Sequence, residues 1–396
     1  MNKFTSILFT LVFGCALFAS AQNTTGGYQF TETKRLPYTS VKDQARAGTC
    51  WSWSTVSFFE SEMMRIGKDS ASLSAMYVVR HAYNDKAAKY VRLHGYLNFA
   101  VGGAFCDVSY VIKNYGIVPL EVYQGLEYGE ENHAFSEIDA VLKGYVDAVL
   151  KNPNKKLSTA WKKGFLGILD AYLGEEPGSF SWKGKEYTPR TFADQVVGLN
   201  MDDYVGLTSF SHHPFYTSFA IEVPDNWLWG TCYNLPIEEL MEVMDKAIDN
   251  GYTFAWGADT SEKGFSTQIP GVAVAPTTEV KEMSGAEIAK WETMPKVQLQ
   301  EAFKQGPAPE KKITQEMRQK EFDNYLTTDD HGMHVVGKAT DQNGTPYFIV
   351  KNSWSKYNSY GGFFYASYAF TAYKTMNIMI HKDAIPKDIK KKLNIK

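Results

Sequence analysis

Residues 43–53 read Asp43-Gln44-Ala45-Arg46-Ala47-Gly48-Thr49-Cys50-Trp51-Ser52-Trp53. After Cys50, apolar residues recur at spacings of three or four as far as Ile66, and Gly67 follows. This pattern predicts an amphipathic helix that begins near the cysteine and ends at the glycine. The free N–H groups and the dipole at a helix start stabilise a thiolate and lower the pKa of a cysteine placed there. The stretch therefore indicates a reactive thiol at Cys50.

Two later segments supply the groups that such a thiol needs. Residues 330–334 read Asp330-His331-Gly332-Met333-His334, and residues 351–354 read Lys351-Asn352-Ser353-Trp354. The surrounding apolar residues predict two strands, joined by a hairpin through Asn343-Gly344 that returns Asn352 to His331. An imidazole can take the thiol proton, and an Asn carboxamide can orient that imidazole. His331 and His334 are therefore the candidate bases, and Asn352 is the candidate orienter.

This order of Gln, Cys-Trp, His and Asn-Ser-Trp resembles the papain superfamily of cysteine peptidases. The resemblance implies that Cys50 is the nucleophile, that His331 is the base and that Asn352 completes the catalytic set. His334 competes for the role of base. In the family pattern, a small residue follows the catalytic His and a Gly stands six positions after it, as Gly337 does for His331. We therefore expect His334 to be a packed strand residue.

Further positions complete the predicted site. Gln44 can turn its side-chain amide towards the point that the Cys50 N–H faces, which would make a two-donor oxyanion hole. By resemblance, Trp51 and Trp354 support the site, and Trp354 shields the hydrogen bond between base and orienter from water. Gly102-Gly103 resembles the glycine pair on which papain relatives lay the substrate backbone, because glycines allow an extended peptide to approach closely. A plain loop is the alternative for this pair.

Two departures from typical papain enzymes indicate a branch of the superfamily. Secreted papain relatives commonly carry a disulfide cysteine at the position of Ala47. The absence of that cysteine here resembles the bleomycin hydrolase and aminopeptidase C family. About 280 residues separate the candidate nucleophile from the candidate base, against ~130–150 in typical papain enzymes. We expect a helical insertion to account for the difference, as in that family. Its predicted helices cover Phe135–Val149, Leu157–Leu173 and Pro236–Asp249.

The predicted fold is therefore α+β, a papain-like two-lobed cysteine peptidase fold with a helical insertion. The hydrophobic fraction of 44% in 396 residues is that of a folded protein with a large core. The predicted division is a signal peptide (1–21), a helical lobe that carries the cysteine (22–125), a mainly helical insertion (126–250), a β-rich lobe that carries the His and Asn (251–385) and a basic C-terminal tail (386–396).

The first residues have the pattern of a signal peptide. Lys3 precedes a mostly apolar run from Ile7 to Phe18, and Ala19-Ser20-Ala21 fits the small-residue rule for cleavage before Gln22. We expect export, in a bacterium to the periplasm. A lipoprotein anchor at Cys15 is the alternative, although Phe13 fits a lipobox poorly. No other apolar run approaches the ~20 residues that cross a bilayer.

Composition and resemblance together restrict the partners. A net charge of −3 does not favour a nucleic-acid partner, and the adjacent pair His212-His213 has no carboxylate cluster near it in the sequence, so we expect no metal and no cofactor. Peptides are the expected substrates. The resemblance also implies a homo-oligomer, a hexamer in the bleomycin hydrolase family.

The expected function is that of an exported cysteine-type aminopeptidase, which cleaves N-terminal peptide bonds through a thioester on Cys50. The alternatives are a papain-like endopeptidase, an enzyme that transfers the same acyl group, and an inactive peptide-binding relative. In bleomycin hydrolase relatives a C-terminal arm lies in the cleft, and its carboxylate meets the substrate amine. Residues 383–396 of this chain are basic. They form either such an arm or a solvated terminal helix.

Overall fold

We describe the protein from a computed structural model of the 396-residue chain. The structure describes residues 27–276 and 306–396. The predicted signal peptide, residues 1–21, and the alternative lipid anchor at Cys15 lie outside the described residues.

Ten α-helices lie within residues 27–276 and 306–396, and the first of them begins at Cys50. In chain order the helices are α1 (Cys50–Arg65), α2 (Ala75–Arg92), α3 (Phe105–Tyr115), α4 (Ser136–Leu150), α5 (Ala160–Leu173), α6 (Pro189–Phe192), α7 (Ile237–Asp249), α8 (Gln315–Asp323), α9 (Tyr368–Lys374) and α10 (Lys387–Lys392). Helix α1 is buried from Trp51 to Met63, which makes it the central helix of the fold. Two residues after its end, Gly67 has a φ of +76°, a left-handed conformation that glycine adopts without a steric penalty.

One large mixed sheet holds most of the described strands. The strands are β1 (Thr31–Arg35), β2 (Phe180–Trp182), β3 (Lys185–Tyr187), β4 (Tyr204–Thr208), β5 (Ser218–Ala220), β6 (Thr231–Asn234), β7 (Phe254–Ala258), β8 (Phe265–Ser266), β9 (Val272–Ala273), β10 (His331–Thr340), β11 (Pro346–Lys351), β12 (Phe363–Ser367) and β13 (Thr375–His381). The sheet runs in the order β5-β6-β4-β13-β7-β10-β11-β12-β9-β8, and β1 pairs with β10. Strands β2 and β3 form a separate hairpin.

Strand β10 positions the predicted base beside the central helix. Its first half pairs antiparallel with β7, and its second half pairs with β1 and β11. The predicted hairpin is present, because β10 turns into β11 through residues 341–345, where Gly344 has a φ of +82°. Helix α1 packs against β10. The two segments that carry the sequence motifs are therefore adjacent in space.

The segment predicted as an insertion, residues 126–250, contains both helices and strands. Helices α4 and α5 pack against each other and against α2. Strands β4, β5 and β6 of the same segment extend the large sheet beyond β13. The described structure is thus α+β, as predicted, while the proposed domain boundaries stay a prediction. Across residues 27–276 and 306–396, no helix has the length and apolar character needed to span a membrane.

Candidate active site

Cys50 is the first residue of α1 and lines a cavity of about 280 Å³. His331 and Gly332, at the start of β10, also line this cavity. The first residues of α1 and of β10 therefore face the same cavity. Next to Cys50, Trp51 is buried and its indole Nε1–H donates to the carbonyl of Val101 at 3.1 Å. This hydrogen bond ties the segment at Val101, next to the lining residue Gly102, to the first turn of α1.

His331 is held in place by Asn352. Its Nε2 lies 2.8 Å from Oδ1 of Asn352, and both side chains are buried. Trp354 stacks on the imidazole at a centroid distance of 4.6 Å and an angle of 24°. Asn352 is fixed in turn, because its Oδ1 accepts from the Ser353 N–H at 2.8 Å and its Nδ2 donates to the Tyr357 hydroxyl at 3.3 Å. With Nε2 engaged, Nδ1 is the ring nitrogen that remains for proton transfer.

The absence of a side chain at Gly332 lets β10 approach α1 closely. A Cβ at this position would lie 2.8 Å from Ser54 Oγ, 3.1 Å from Phe105 Cε1 and 3.2 Å from the Cα of Trp51. A larger residue would therefore push the strand away from the helix. Glycine at this position keeps the neighbouring His331 at the mouth of the same cavity as Cys50.

The pKa of Cys50 differs from the sequence-based expectation. Burial raises the pKa of this thiol to about 11, although backbone N–H groups of Gly332 and Trp51 oppose the shift. The expectation of a lowered pKa was wrong because loss of solvent outweighs the N–H groups at the helix start. Burial also lowers the pKa of His331 to about 4, against an opposing contribution from Asn352. Both shifts favour a thiol and a neutral imidazole, from which His331 can take the proton as a general base.

Gln44 lies beside the orienter rather than among the described residues that line the cavity. Its backbone N–H donates to the Ser353 carbonyl at 2.8 Å, and its side-chain Oε1 accepts from the Ser353 hydroxyl at 2.6 Å. The side chain is buried. Because the amide oxygen is bound by Ser353, the amide nitrogen is the atom left to donate to another group.

His334 faces a different environment from His331. It is buried against α1, where its Nδ1 lies 2.9 Å from the Ser57 hydroxyl, and it is not among the described residues that line the cavity. Within the described residues its buried Nε2 has no hydrogen-bond partner. Burial, with a contribution from the nearby Lys351, holds the pKa of His334 well below its usual range. Its position is that of a packed residue.

The glycine pair Gly102-Gly103 lines the cavity, but Gly102 is covered. A Cβ at Gly103 would lie 2.7 Å from Cε2 of Trp51, so this glycine packs on the indole. A Cβ at Gly102 would lie only 1.9 Å from Oδ2 of Asp225. Asp225 is not among the predicted site residues, because it lies more than a hundred positions in the sequence from the glycine that it contacts.

The C-terminal tail packs outside the described wall of the cavity. It forms α10, in which Ile389 is buried, and Leu393 after the helix is buried in the same apolar core as α7. Lys392 binds Glu239 of α7 at 2.7 Å. No residue of 383–396 is among the described residues that line the cavity. The tail is thus neither a solvated helix nor an arm in the cleft.

One group of metal-ligand side chains lies apart from the cavity. Nε2 of His212 and Nε2 of His213 lie 3.1 and 2.7 Å from the two oxygens of Glu222. The three residues form the one such group found among residues 27–276 and 306–396. Because Glu222 lies nine and ten positions after the two histidines in the chain, the sequence alone does not place its carboxylate beside them. The hydrogen bonds and ion pairs among the three side chains already give each ring a partner.

Comparisons with known proteins agree with this geometry. The profile described as the Peptidase C1-like family matches residues 78–272, and that of the Papain family cysteine protease matches residues 293–382. The aminopeptidase C of Listeria monocytogenes is 22% identical over 88% of this chain and 81% of its own length. The aminopeptidase C of Streptococcus thermophilus is 21% identical over 87% of this chain and 80% of its own length.

A solved structure supports the fold independently. The crystal structure of PepW from Lactobacillus rhamnosus HN001 matches 92% of this chain and 84% of its own chain, with a TM-score of 0.68 at 19% identity. At this identity the likeness concerns the fold alone. The predicted papain-like α+β fold and the predicted cysteine peptidase are both confirmed. The predicted resemblance to the papain superfamily of cysteine peptidases and to its aminopeptidase C family is confirmed by these matches.

Proposed function

We propose that this protein is a cysteine aminopeptidase in which Cys50, His331 and Asn352 carry the chemistry. The observation that carries the proposal is the arrangement of His331, which is bound to Asn352 at 2.8 Å and borders the cavity that holds Cys50. The relatives named aminopeptidase C support the direction of cleavage. Removal of N-terminal residues is therefore the specificity that we assign.

The proposed reaction has two steps. His331 takes the proton of the Cys50 thiol as the sulfur attacks the carbonyl carbon, and the side-chain amide of Gln44 and the Cys50 N–H stabilise the oxyanion. The tetrahedral intermediate collapses, the C–N bond breaks and His331 protonates the leaving amine. Water, deprotonated by the same imidazole, then hydrolyses the thioester and restores the thiol. Asn352 keeps the imidazole oriented throughout.

Two measurements test the proposal. We expect Cys50→Ala to abolish turnover of an aminoacyl aminomethylcoumarin amide without loss of fold. Iodoacetamide labelling must be mapped by peptide mass spectrometry, because the free cysteines Cys106 and Cys232 also line the cavity. Cys106→Ser and Cys232→Ser are the matched controls, and both should keep turnover. Wild-type turnover in Cys50→Ala would refute the assignment of the nucleophile.

The direction of cleavage is tested with a pair of substrates. The aminoacyl amide and its N-acetylated counterpart differ only in the charge and size of the amino end. An aminopeptidase cleaves the first and rejects the second. Equal cleavage of both would favour the endopeptidase alternative.

Export and assembly complete the proposal. The pattern of Lys3, the apolar run Ile7–Phe18 and Ala19-Ser20-Ala21 supports export with a mature N-terminus at Gln22. Mass spectrometry of the protein isolated from its host tests this, and retention of Met1 or a lipid on Cys15 would contradict it. The resemblance to bleomycin hydrolases supports a hexamer. Light scattering of the mature protein tests the assembly, and a monomer would contradict it.

A further inference from the structure

Asp225 occupies the place beside Gly102 where an extended peptide would lie. A Cβ added to Gly102 would lie 1.9 Å from Oδ2 and 2.4 Å from Oδ1 of Asp225, so the whole carboxylate sits against this glycine. The Gly102 carbonyl is also engaged, because it accepts from the buried ammonium of Lys86. A peptide strand therefore does not find the space that main-chain pairing at Gly102 would require, and one acceptor position of the Gly102 carbonyl is already taken. Asp225 thus narrows the cavity beside Gly102.

The segment that carries Asp225 is held rigidly. Its Oδ1 accepts from the Asn98 side chain at 3.1 Å. The next residue, Asn226, is buried and donates to the carbonyls of Ile221 and Gly230 at 3.1 and 3.0 Å. The indole of the buried Trp227 that follows donates to a carboxylate of α3 at 2.6 Å. The carboxylate of Asp225 is therefore a fixed wall of the cavity.

The charge at this end of the cavity determines which end of a peptide it can receive. Asp225, Asp329 and Asp330 all line the cavity, and no Lys or Arg is among the described residues around it. Burial raises the pKa of Asp329 to about 7, and the charges of Asp225 and Asp330 add to the shift, so Asp329 carries only part of a negative charge near neutral pH. The ammonium of Lys86, which binds the Gly102 carbonyl, favours the ionised form of Asp225. Such a wall repels a substrate carboxylate and attracts an ammonium group.

We propose that Asp225 closes the cavity at Gly102 and binds the protonated α-amine of the first substrate residue. This inference rests on the proposed aminopeptidase function and assigns its specificity to one side chain. The proposal requires that a single residue spans the gap between the ammonium group at Asp225 and the carbonyl that Cys50 attacks. Asp225 is a specificity-determining residue, because it excludes longer or acylated amino ends and pairs with the free one.

The test combines enzyme variants with substrate variants. Asp225→Asn keeps the shape of the side chain and removes its charge, and Asp225→Ala also opens the space beside Gly102. Glu222→Gln, on the same segment but outside the described cavity wall, is the matched control. The substrates are an alanyl aminomethylcoumarin amide, its N-acetyl counterpart and the lactoyl amide, in which a hydroxyl replaces the amine.

The inference predicts a specific pattern of KM values. Asp225→Asn should raise KM for the alanyl amide by about 10-fold or more, because a charge-assisted contact is lost, with a smaller effect on kcat. The KM for the lactoyl amide should change little. Asp225→Ala should in addition cleave the N-acetyl substrate. Glu222→Gln should match the wild type, and iodoacetamide should still label Cys50 in every variant.

The outcomes separate the two hypotheses. If the wild type prefers the alanyl amide and both Asp225 variants keep its KM and its rejection of the N-acetyl substrate, the role of Asp225 is refuted while the aminopeptidase remains. If the wild type cleaves both substrates equally, the proposed function itself fails. A loss of Cys50 labelling in Asp225→Ala would show a damaged fold. In that case the KM of Asp225→Asn for the alanyl amide decides whether Asp225 binds the amine, because this variant removes only the charge.

Discussion

Nε2 of His331 lies 2.8 Å from Oδ1 of Asn352, beneath the indole of Trp354. The bond uses the ring nitrogen that does not transfer the proton. The other nitrogen is therefore directed away from Asn352, and the imidazole cannot rotate without breaking a buried hydrogen bond. The orientation of the base is thus set by a residue that carries no charge.

Removal of this bond should slow the chemistry more than it weakens binding. Asn352→Ala loses a buried hydrogen bond of about 1.5–3 kcal/mol, which corresponds to a fall in kcat of about 10- to 150-fold. Tyr357→Phe is the control, because it removes the hydroxyl to which Asn352 donates at 3.3 Å and leaves the bond between Asn352 and His331 in place, so it should change kcat much less. Steady-state kinetics on the aminoacyl amide measure both. An unchanged kcat in Asn352→Ala would contradict the orienting role.

The acid side of the pH profile should report His331. Its pKa is lowered to about 4 by burial, so the imidazole is neutral above that pH and can accept the thiol proton. As the pH falls through about 4, the ring becomes protonated and kcat should be lost. Asp329→Asn is the control, because burial raises the pKa of Asp329, in the same cavity, to about 7. An acid limb near 6.5 in both proteins would contradict the low pKa of His331.

Even the smallest side chain at position 332 should lower both the stability and the activity of the protein. In Gly332→Ala the new Cβ would meet Ser54 Oγ at 2.8 Å, and such overpacking costs about 1–3 kcal/mol of unfolding free energy. The strand must also shift, so kcat should fall with stability. Gly144→Ala on the exposed face of α4 is the matched control, because its Cβ meets nothing within 4 Å. It should keep kcat and stabilise the helix by about 0.5–1 kcal/mol. Urea unfolding and kinetics measure these effects.

The sequence predicted well those parts of the molecule that depend on local pattern. Apolar spacing and a terminal glycine identified α1, and the segment predicted as Phe135–Val149 forms α4 at Ser136–Leu150. The hairpin that returns Asn352 to His331 was visible because its turn contains Asn343-Gly344. Each of these features is fixed by residues close together in the chain.

Contacts between distant segments were not predictable in the same way. Nothing around Asp225 indicates that it lies on Gly102, because the contact depends on how two loops meet in the fold. Arg318 is a second example. It lies in a charged stretch that resembles a surface, yet it is fully buried and its guanidinium donates to the carbonyl of Ser209 at 2.6 Å. The net pKa of Cys50 also depends on burial, which motif spacing does not report.

The C-terminal tail should contribute to stability and not to specificity. Leu393 is 3% exposed and packs in the apolar core beside α7, so Leu393→Ala should lower the unfolding free energy by about 2–5 kcal/mol. Lys391→Ala, at an exposed position of α10 shortly before Leu393, is the matched control and should have little effect. Neither change should alter the preference for a free amine over its N-acetyl form, because the tail is not among the described residues that line the cavity. Thermal unfolding and the substrate pair measure both properties. A gain of endopeptidase activity in Leu393→Ala, with unchanged stability, would instead support an arm that reaches the cleft.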